Sequence, residues 1–458
     1  MTFARLSEST HGARGPHAAE VSLRSAPTAS ERALGPLTRP VAGEATRRDP
    51  SGMASLSGDA WVRSQRVTVL MATYNRAHYI EEALDSLLRQ SRAPDELIVV
   101  DDGSTDDTRA RVRRYGERVR YVAQANGGKS TAINRGLKEA TGDWIWVFDD
   151  DDAALPDGLE KLLYGLEKQR DADFAFGGQV TGSSADDGHI VPGQVVLPPD
   201  VPSQSLFGRG LRNIPFLLPA ALVRRERVAA LGGFDERYTR SQDYEFLLRL
   251  LVDAHGVRVP QPIFIWRSHD GPRGPAHLRH EAALRERVWM EVGGGLGRDL
   301  RRRLPLASYL PRGDGNNVLG MRNLRRAVLE RMAVMASKGL VREMLVDLHS
   351  AAHLRAEANG VALDRDEARA CWEVGNLPFF QMRLLDAPDR IVTRLLAAAG
   401  SPAGKAILAR IARGILHAAR HSERPVAERR VLFRCALRLF RACGPVRSAT
   451  AYPPARPR

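Results

Sequence analysis

Cysteine is scarce in this chain. Three residues, Cys371, Cys435 and Cys443, stand among 458, and no CxxC pair is formed. That excludes a disulfide scaffold and a zinc site built from cysteines, and it makes a reducing cytoplasm the expected compartment. Long apolar runs are missing too. None approaches the roughly 18 residues that a membrane-spanning helix requires. The first residues, MTFARLSEST, lack the apolar core of a secretory signal, so none is expected. The glycine patterns of the common nucleotide loops are absent as well. No GxGxxG follows the first strand, and NGGKST (residues 126–131) has Ala123 where a phosphate-binding P-loop needs its first glycine.

What is present is globular: 43% hydrophobic and 27% charged residues, in a length that suggests two or three domains. The net charge of +14 is unevenly spread. Residues 61–275 are slightly acidic, whereas residues 401–458 carry 13 Lys and Arg against two Asp and Glu. A nucleic-acid enzyme concentrates its basic residues around its cleft, so a nucleic-acid partner is not expected.

Residues 1–60, rich in Ala, Ser, Gly, Pro and Arg without a sustained period, read as a disordered leader. Scattered prolines argue against an amphipathic targeting helix there. From Val67 the pattern changes. Short apolar runs at Val67–Ala72, Leu97–Val100, Val119–Ala123 and Trp144–Phe148 alternate with helical spacing, as in Ile80, Ala83, Leu84, Leu87 and Leu88. Strands of this kind, apolar on both faces and separated by helices, imply an α/β fold with a mostly parallel sheet. Ligands of such sheets bind beyond the carboxyl ends of the strands. Those ends hold TYNR, DDGST, NGGKS and DDDD. From about Leu278 onward the strand signals stop and Ala, Leu and Arg recur at helical spacing. The expected organisation is therefore a leader (1–60), an α/β domain (61–277) and a basic helical region (278–458).

Asp149, Asp150, Asp151 and Asp152 end the fourth strand. Like charges about 4 Å apart repel by about 1 kcal/mol in water and by more at a protein surface, so four in a row invite a cation. Oxygen ligands favour Mg²⁺ or Mn²⁺. A solvated turn before the helix near Pro156 is the plainer alternative. In DDGSTDD (residues 101–107) carboxylates can accept from a base or ribose, while Ser104 and Thr105 are expected to cap the next helix. Lys129 can neutralise a diphosphate or be solvated.

Between about Val67 and Gly271 the chain resembles the inverting family 2 glycosyltransferases, with their GT-A nucleotide-sugar fold. The resemblance is carried by VTVLMATYNRAHYIEEALDSLLRQ, ELIVVDDGSTDDT, NGGKSTAINRGLKEATGDWIWVFDDDD, GGFDERYTRSQDYEFLLRL and FIWRSHDG. It implies that Thr73, Tyr74, Asn75, Asp101 and Asp102 line the nucleotide. It implies that Asp149, Asp150 and Asp151 form the DXD element, with Asp150 near the ribose and Asp151 on the metal, joined by Asp149 and His269. It makes Asp243 the catalytic base, although Gln242 stands where the family often has glutamate. Arg267 becomes a diphosphate contact or a solvated loop charge, and Gly232-Gly233 a turn that aims Phe234 toward the acceptor. Residues 182–210 become a specificity loop.

The implied activity is transfer of a sugar from a nucleoside-diphosphate sugar, UDP being the expected nucleotide, to a glycan, lipid-linked or small-molecule hydroxyl. A non-catalytic nucleotide-sugar-binding scaffold and a sugar-nucleotide pyrophosphorylase are the alternatives, the latter lacking its glycine-rich loop. In the tail, Ile407, Leu408, Ile411, Ile415 and Leu416, then Val431, Leu432, Cys435, Leu439 and Phe440, lie between arginines. That is the pattern of basic helices on an anionic membrane, or of helices that pack into their own domain.

Overall fold

The computed structural model describes residues 58–186, 188–268, 284–310, 321–354 and 362–444, and these belong to one compact unit. Nine strands form one sheet: β1 (Val67–Thr73), β2 (Glu96–Asp101), β3 (Arg120–Ala123), β4 (Trp144–Val147), β5 (Ala153–Ala154), β6 (Phe174–Ser184), β7 (Ile190–Val196), β8 (Ala221–Arg224) and β9 (Gly256–Ser268). Their order is β3-β2-β1-β4-β8-β6-β9-β5, with β7 paired to β6. The first four are parallel, as the apolar runs imply. β8 then runs antiparallel between β4 and β6, and β9 runs parallel to β6.

Burial explains the strand composition. Val67, Val69, Leu70 and Met71 in β1 and Trp144, Ile145 and Trp146 in β4 are almost wholly hidden, because helices cover both faces. The helix Ile80–Leu88 turns Ile80, Ala83, Leu84 and Leu87 into that core, the spacing read from sequence. Parallel pairing also fixes the position of the site. β1, β2, β3 and β4 point the same way, so their polar carboxyl-terminal segments collect at one edge.

The expected specificity loop is mostly regular structure. Phe174–Ser184 and Ile190–Val196 pair as a β6–β7 hairpin, and Ser203–Arg212 form a helix. A Thr-Gly-Ser-Ser stretch at a strand end looks like a loop, but pairing with β7 and β9 satisfies its backbone.

Beyond β9 the described residues are helical, as expected: Arg285–Arg303, Met321–Ser337, Val341–His353, Arg365–Asn376, Pro378–Asp386, Pro388–Ala398, Pro402–His421 and Val426–Cys443. The basic tail divides in two. Ile407, Leu408, Ile411 and Ile415 are buried, each stabilising the fold by about 1.5–3 kcal/mol relative to exposure. Helix 402–421 closes so tightly on helix 365–376 that a Cβ on Gly414 would lie 2.0 Å from the Trp372 carbonyl oxygen. In helix 426–443, Leu432, Cys435 and Leu439 are buried, whereas Val426, Phe433 and Leu437 face solvent. No helix among the described residues is long and apolar enough to cross a membrane.

Candidate active site

The turn after β1 is laced to the turn after β2. Asn75 adopts a positive φ of 54°, tolerable for asparagine. Its Oδ1 accepts from Thr105 N at 2.7 Å, and its own N–H donates to Ser104 Oγ at 2.9 Å. The hydroxyl of Ser104 is thereby used between turns. The next helix, Thr108–Arg113, has Asp107 at its N-cap position, so the expected capping by Ser104 and Thr105 does not occur.

Asp101 and Asp102 are both buried. Asp101 Oδ1 accepts from Ser104 N at 2.7 Å and its Oδ2 from the Tyr121 hydroxyl at 2.6 Å. Asp102 accepts from Gly127 N at 2.8 Å and Gly128 N at 2.7 Å. The amides of the NGG turn thus hold a carboxylate of the protein itself. Thr73, Tyr74, Asn75, Asp101 and Asp102 make one strand-end cluster, with Tyr74 exposed.

A cleft of about 590 Å³ opens beside this cluster, lined by Arg76, Lys129, Asp149, Asp150, Asp151 and Asp243 among others. Asp149–Asp152 leave β4 at the sheet edge, and Asp243 lies in the first turn of the helix Gln242–Leu251. Lys129 Nζ joins the two, 2.6 Å from Asp149 Oδ1 and 3.8 Å from Asp243 Oδ2. Burial works against the Lys129 ammonium, but Asp149 and Asp243 more than offset it and hold its pKa above the usual lysine value. Asp149 is raised, first by burial and then by Asp243 and Asp151, with Lys129 opposing. Burial pushes Asp150 up to about 7 against the pull of Arg76, whose guanidinium lies 3.5 Å away.

One oxygen each from Asp149, Asp151 and Asp152 falls within 4.8 Å of the others. Three carboxylates with no sulfur among them form the donor set of a hard divalent cation, so these residues fit one. The third member of the set is Asp152, where the sequence suggested His269. His269 lies outside the described residues. Asp150 is turned instead to Arg76, which also lies 3.8 Å from Asp151. Arg76 was visible only as the last letter of TYNR, since nothing in the linear sequence reveals a partner 74 positions away.

Two other expectations are corrected. Arg267 is neither solvated nor a free phosphate contact. Its side chain is fully buried, pairs with Glu82, donates to the Asp151 and Gly188 carbonyls and stacks 4.7 Å from the Tyr79 ring centroid. It ties the DDDD turn to β9. Gly232 and Gly233 do form a positive-φ turn, at 74° and 73°, yet Phe234 turns into the core and stacks on Phe246 with centroids 4.4 Å apart. Glu245, the other acid in the first turn of the Asp243 helix, is buried and held by Arg249 at 2.7 Å.

Comparison with known proteins places this cleft in a family. The family model for glycosyl transferase family 2 matches residues 68–229. EpsE of Bacillus subtilis, described as a glycosyltransferase, is 31% identical over 196 residues, covering 41% of this chain and 68% of the relative. EpsJ of the same organism, an uncharacterised glycosyltransferase, is 30% identical over 231 residues, 48% of this chain and 66% of the relative. An uncharacterised glycosyltransferase of Rickettsia felis is 30% identical over 192 residues, 40% of this chain. The chain spans 31% and 59% of the length of two Rickettsia relatives it matches. Among solved structures, TarS of S. aureus (residues 1–349, with UDP-GlcNAc) aligns with 73% of this chain and 92% of its own, at 17% identity and a TM-score of 0.44. PcManGT, a mannosyltransferase of Pyrobaculum calidifontis, aligns with 83% and 86% at 19% identity and a TM-score of 0.33. The chain belongs to the family 2 glycosyltransferases.

Proposed function

We propose that this chain is a divalent-metal-dependent, inverting glycosyltransferase that moves a sugar from a nucleoside-diphosphate sugar, UDP being the expected nucleotide, to an acceptor hydroxyl. One observation carries the reading: Asp149 and Asp151 of a three-carboxylate set completed by buried Asp152, and a separate carboxylate, Asp243, line one cleft at the carboxyl ends of parallel strands. Inversion needs this division of labour. Asp243 takes the proton of the acceptor hydroxyl as that oxygen attacks the anomeric carbon from the side opposite the diphosphate. Asp149, Asp151 and Asp152 would hold Mn²⁺ or Mg²⁺, which supplies electrostatic stabilisation of the leaving diphosphate.

The remaining groups orient and bind. The cluster of Thr73, Tyr74, Asn75, Asp101 and Asp102 is assigned to the nucleotide, with exposed Tyr74 offering a ring face to the base. Arg76 and Lys129 keep their cationic heads among the four carboxylates lining the cleft, limiting mutual repulsion before the donor arrives. His269 is assigned to the metal or diphosphate. Cytoplasmic nucleotide sugars would supply the donor. A peripheral contact with an anionic membrane is assigned to the outer face of helix 426–443, where Val426, Phe433 and Leu437 are exposed and arginines alternate with them.

The test is thermal unfolding with a panel of nucleotide sugars, with Mn²⁺ or with EDTA, beside slow release of nucleoside diphosphate without acceptor. A donor-induced rise in Tm that needs Mn²⁺, together with release, is expected. A rise without any release would favour the binding scaffold, and no rise with any donor would sink the reading.

A further inference from the structure

The far wall of the cleft comes from the helical region, outside residues 68–229 that the family model matches. Trp289, on the helix Arg285–Arg303, and Phe379, on the helix Pro378–Asp386, line the same cavity as Asp243. Trp289 is 47% exposed, a high value for the largest apolar side chain. Leu377 and Pro378 extend the surface between helices. Resting on the transferase reading of the same cleft, we propose that the helical region supplies the acceptor subsite, a wall on which a sugar ring stacks against Trp289 and Phe379 with a hydroxyl directed at Asp243.

The chemistry of the wall selects this occupant. Of the charged groups lining the cleft among the described residues, Lys338 alone comes from the helical side, where Trp289, Leu377, Pro378 and Phe379 make the wall mainly apolar and aromatic. A sugar ring presents an aliphatic C–H face to an aromatic surface while its hydroxyl edge meets polar groups. A pocket with mostly apolar lining and a few placed polar atoms recognises such a two-faced molecule. The cavity, at about 590 Å³, lies within the range that drug-sized ligands occupy.

The wall is fixed relative to the base. Arg212, on the helix Ser203–Arg212, pairs with Glu330 and Glu373 of two helices of the helical region. Lys338, buried at the end of the helix Met321–Ser337, donates to the Arg212 carbonyl at 3.0 Å and to the Tyr244 hydroxyl at 2.6 Å. Tyr244 follows Asp243 directly. The helices that carry Trp289 and Phe379 are joined by Arg287 to Asp386 at 2.8 Å and by Arg383 to Glu291 at 2.5 Å. A rigid acceptor wall lowers the ordering cost of binding and keeps the hydroxyl within reach of Asp243.

The sugar ring has two sources, a soluble glycan or a glycolipid, and the experiment separates them. Full-length protein is saturated with Mn²⁺ and with UDP or GDP, whichever it binds. It is then applied to immobilised soluble oligosaccharides and to neutral phosphatidylcholine vesicles bearing glycolipid. Trp289→Ala, Phe379→Ala and the aromatic control Trp289→Phe run alongside. The proposal expects glycan binding on one arm or both, weakened about tenfold in each alanine variant and largely kept by Trp289→Phe, with nucleotide affinity unchanged within about twofold. Undiminished binding by both alanine variants would overturn it, as would absence of glycan binding on both arms by protein that binds nucleotide. Failure of the wild type to bind any nucleotide counts instead against the donor reading.

Discussion

Buried charge is used differently in the two halves of the molecule. In the helical region it is settled between helices. Arg325 and Glu367, both almost wholly buried, meet at 2.6 Å, and Asp347 is held by Arg301 and Arg331. In the sheet region buried or half-buried carboxylates collect at one edge, where Asp149, Asp150 and Asp151 crowd together with Arg76 and Lys129 as partial counter-charges. One arrangement is closed and serves packing; the other keeps an excess of carboxylate turned toward a cleft and can serve a ligand. Lys338 is the exception that joins them. Its ammonium donates to two neutral acceptors, the Arg212 carbonyl and the Tyr244 hydroxyl, and it lies on the cleft, at the seam.

Breaking a closed pair should show the largest loss of stability. Arg325→Ala should cost about 3–5 kcal/mol by leaving Glu367 buried without its partner, read by urea unfolding, and replacement of both residues by apolar side chains should cost much less. At the open edge the effect falls on chemistry instead. Asp243→Asn should reduce turnover roughly 10²-fold or more with donor affinity nearly unchanged, because a general base acts in the transition state. Near-normal turnover would leave the cleft without its base, since Glu245 is already held by Arg249. Asp151→Ala should remove the Mn²⁺-dependent part of nucleotide binding while the melting temperature without ligand stays close to wild type. Mn²⁺-dependent binding that survives this change would break the contrast between open and closed carboxylates.

The seam itself should respond to pH. Burial lowers Lys338 to about 7 from an unfolded value of 10.5. Between those values the unfolded chain binds more protons than the native one, so this group makes stability rise with pH there, and its contribution is smallest below about 7. Relative to Lys338→Met, wild-type unfolding free energy should increase by about 2 kcal/mol from pH 7 to pH 9. A flat difference would mean that the lysine keeps its proton in the native state. The smallest effect is expected at the outer face of helix 426–443. Phe433→Ser with Leu437→Ser should weaken co-sedimentation with phosphatidylserine vesicles less than about tenfold, and only at low salt. Equal behaviour at all salt concentrations would make that face ordinary surface.

Much of the sheet region was legible because strand period, buried β-branched residues and polar strand ends are local signals. β1, β2, β3 and β4 appear within a residue or two of the expected runs. The helical region was legible as helices but not as a wall. Alanine, leucine and arginine at helical spacing show which stripe is apolar, and not what will cover it. Burial of Ile407 and Ile411 against exposure of Phe433 and Leu437 depends on the neighbouring helices. Arg267 shows the same limit from the other side: a charged residue next to SHDG reads as loop chemistry, yet the fold buries it around Glu82.

By itself the sequence determined the family, the parallel strands and the carboxylates at their ends, because short-range periodicity and residue chemistry are written in consecutive letters. Tertiary structure alone decided that Asp152 rather than Asp150 joins Asp149 and Asp151, that Lys129 bridges Asp149 and Asp243, and that Trp289 and Phe379 face them. The first depends on how side chains of one turn are directed by what packs around them; the others join residues tens to hundreds of positions apart, and only chain packing sets the distances on which charge pairing and ligand contact depend.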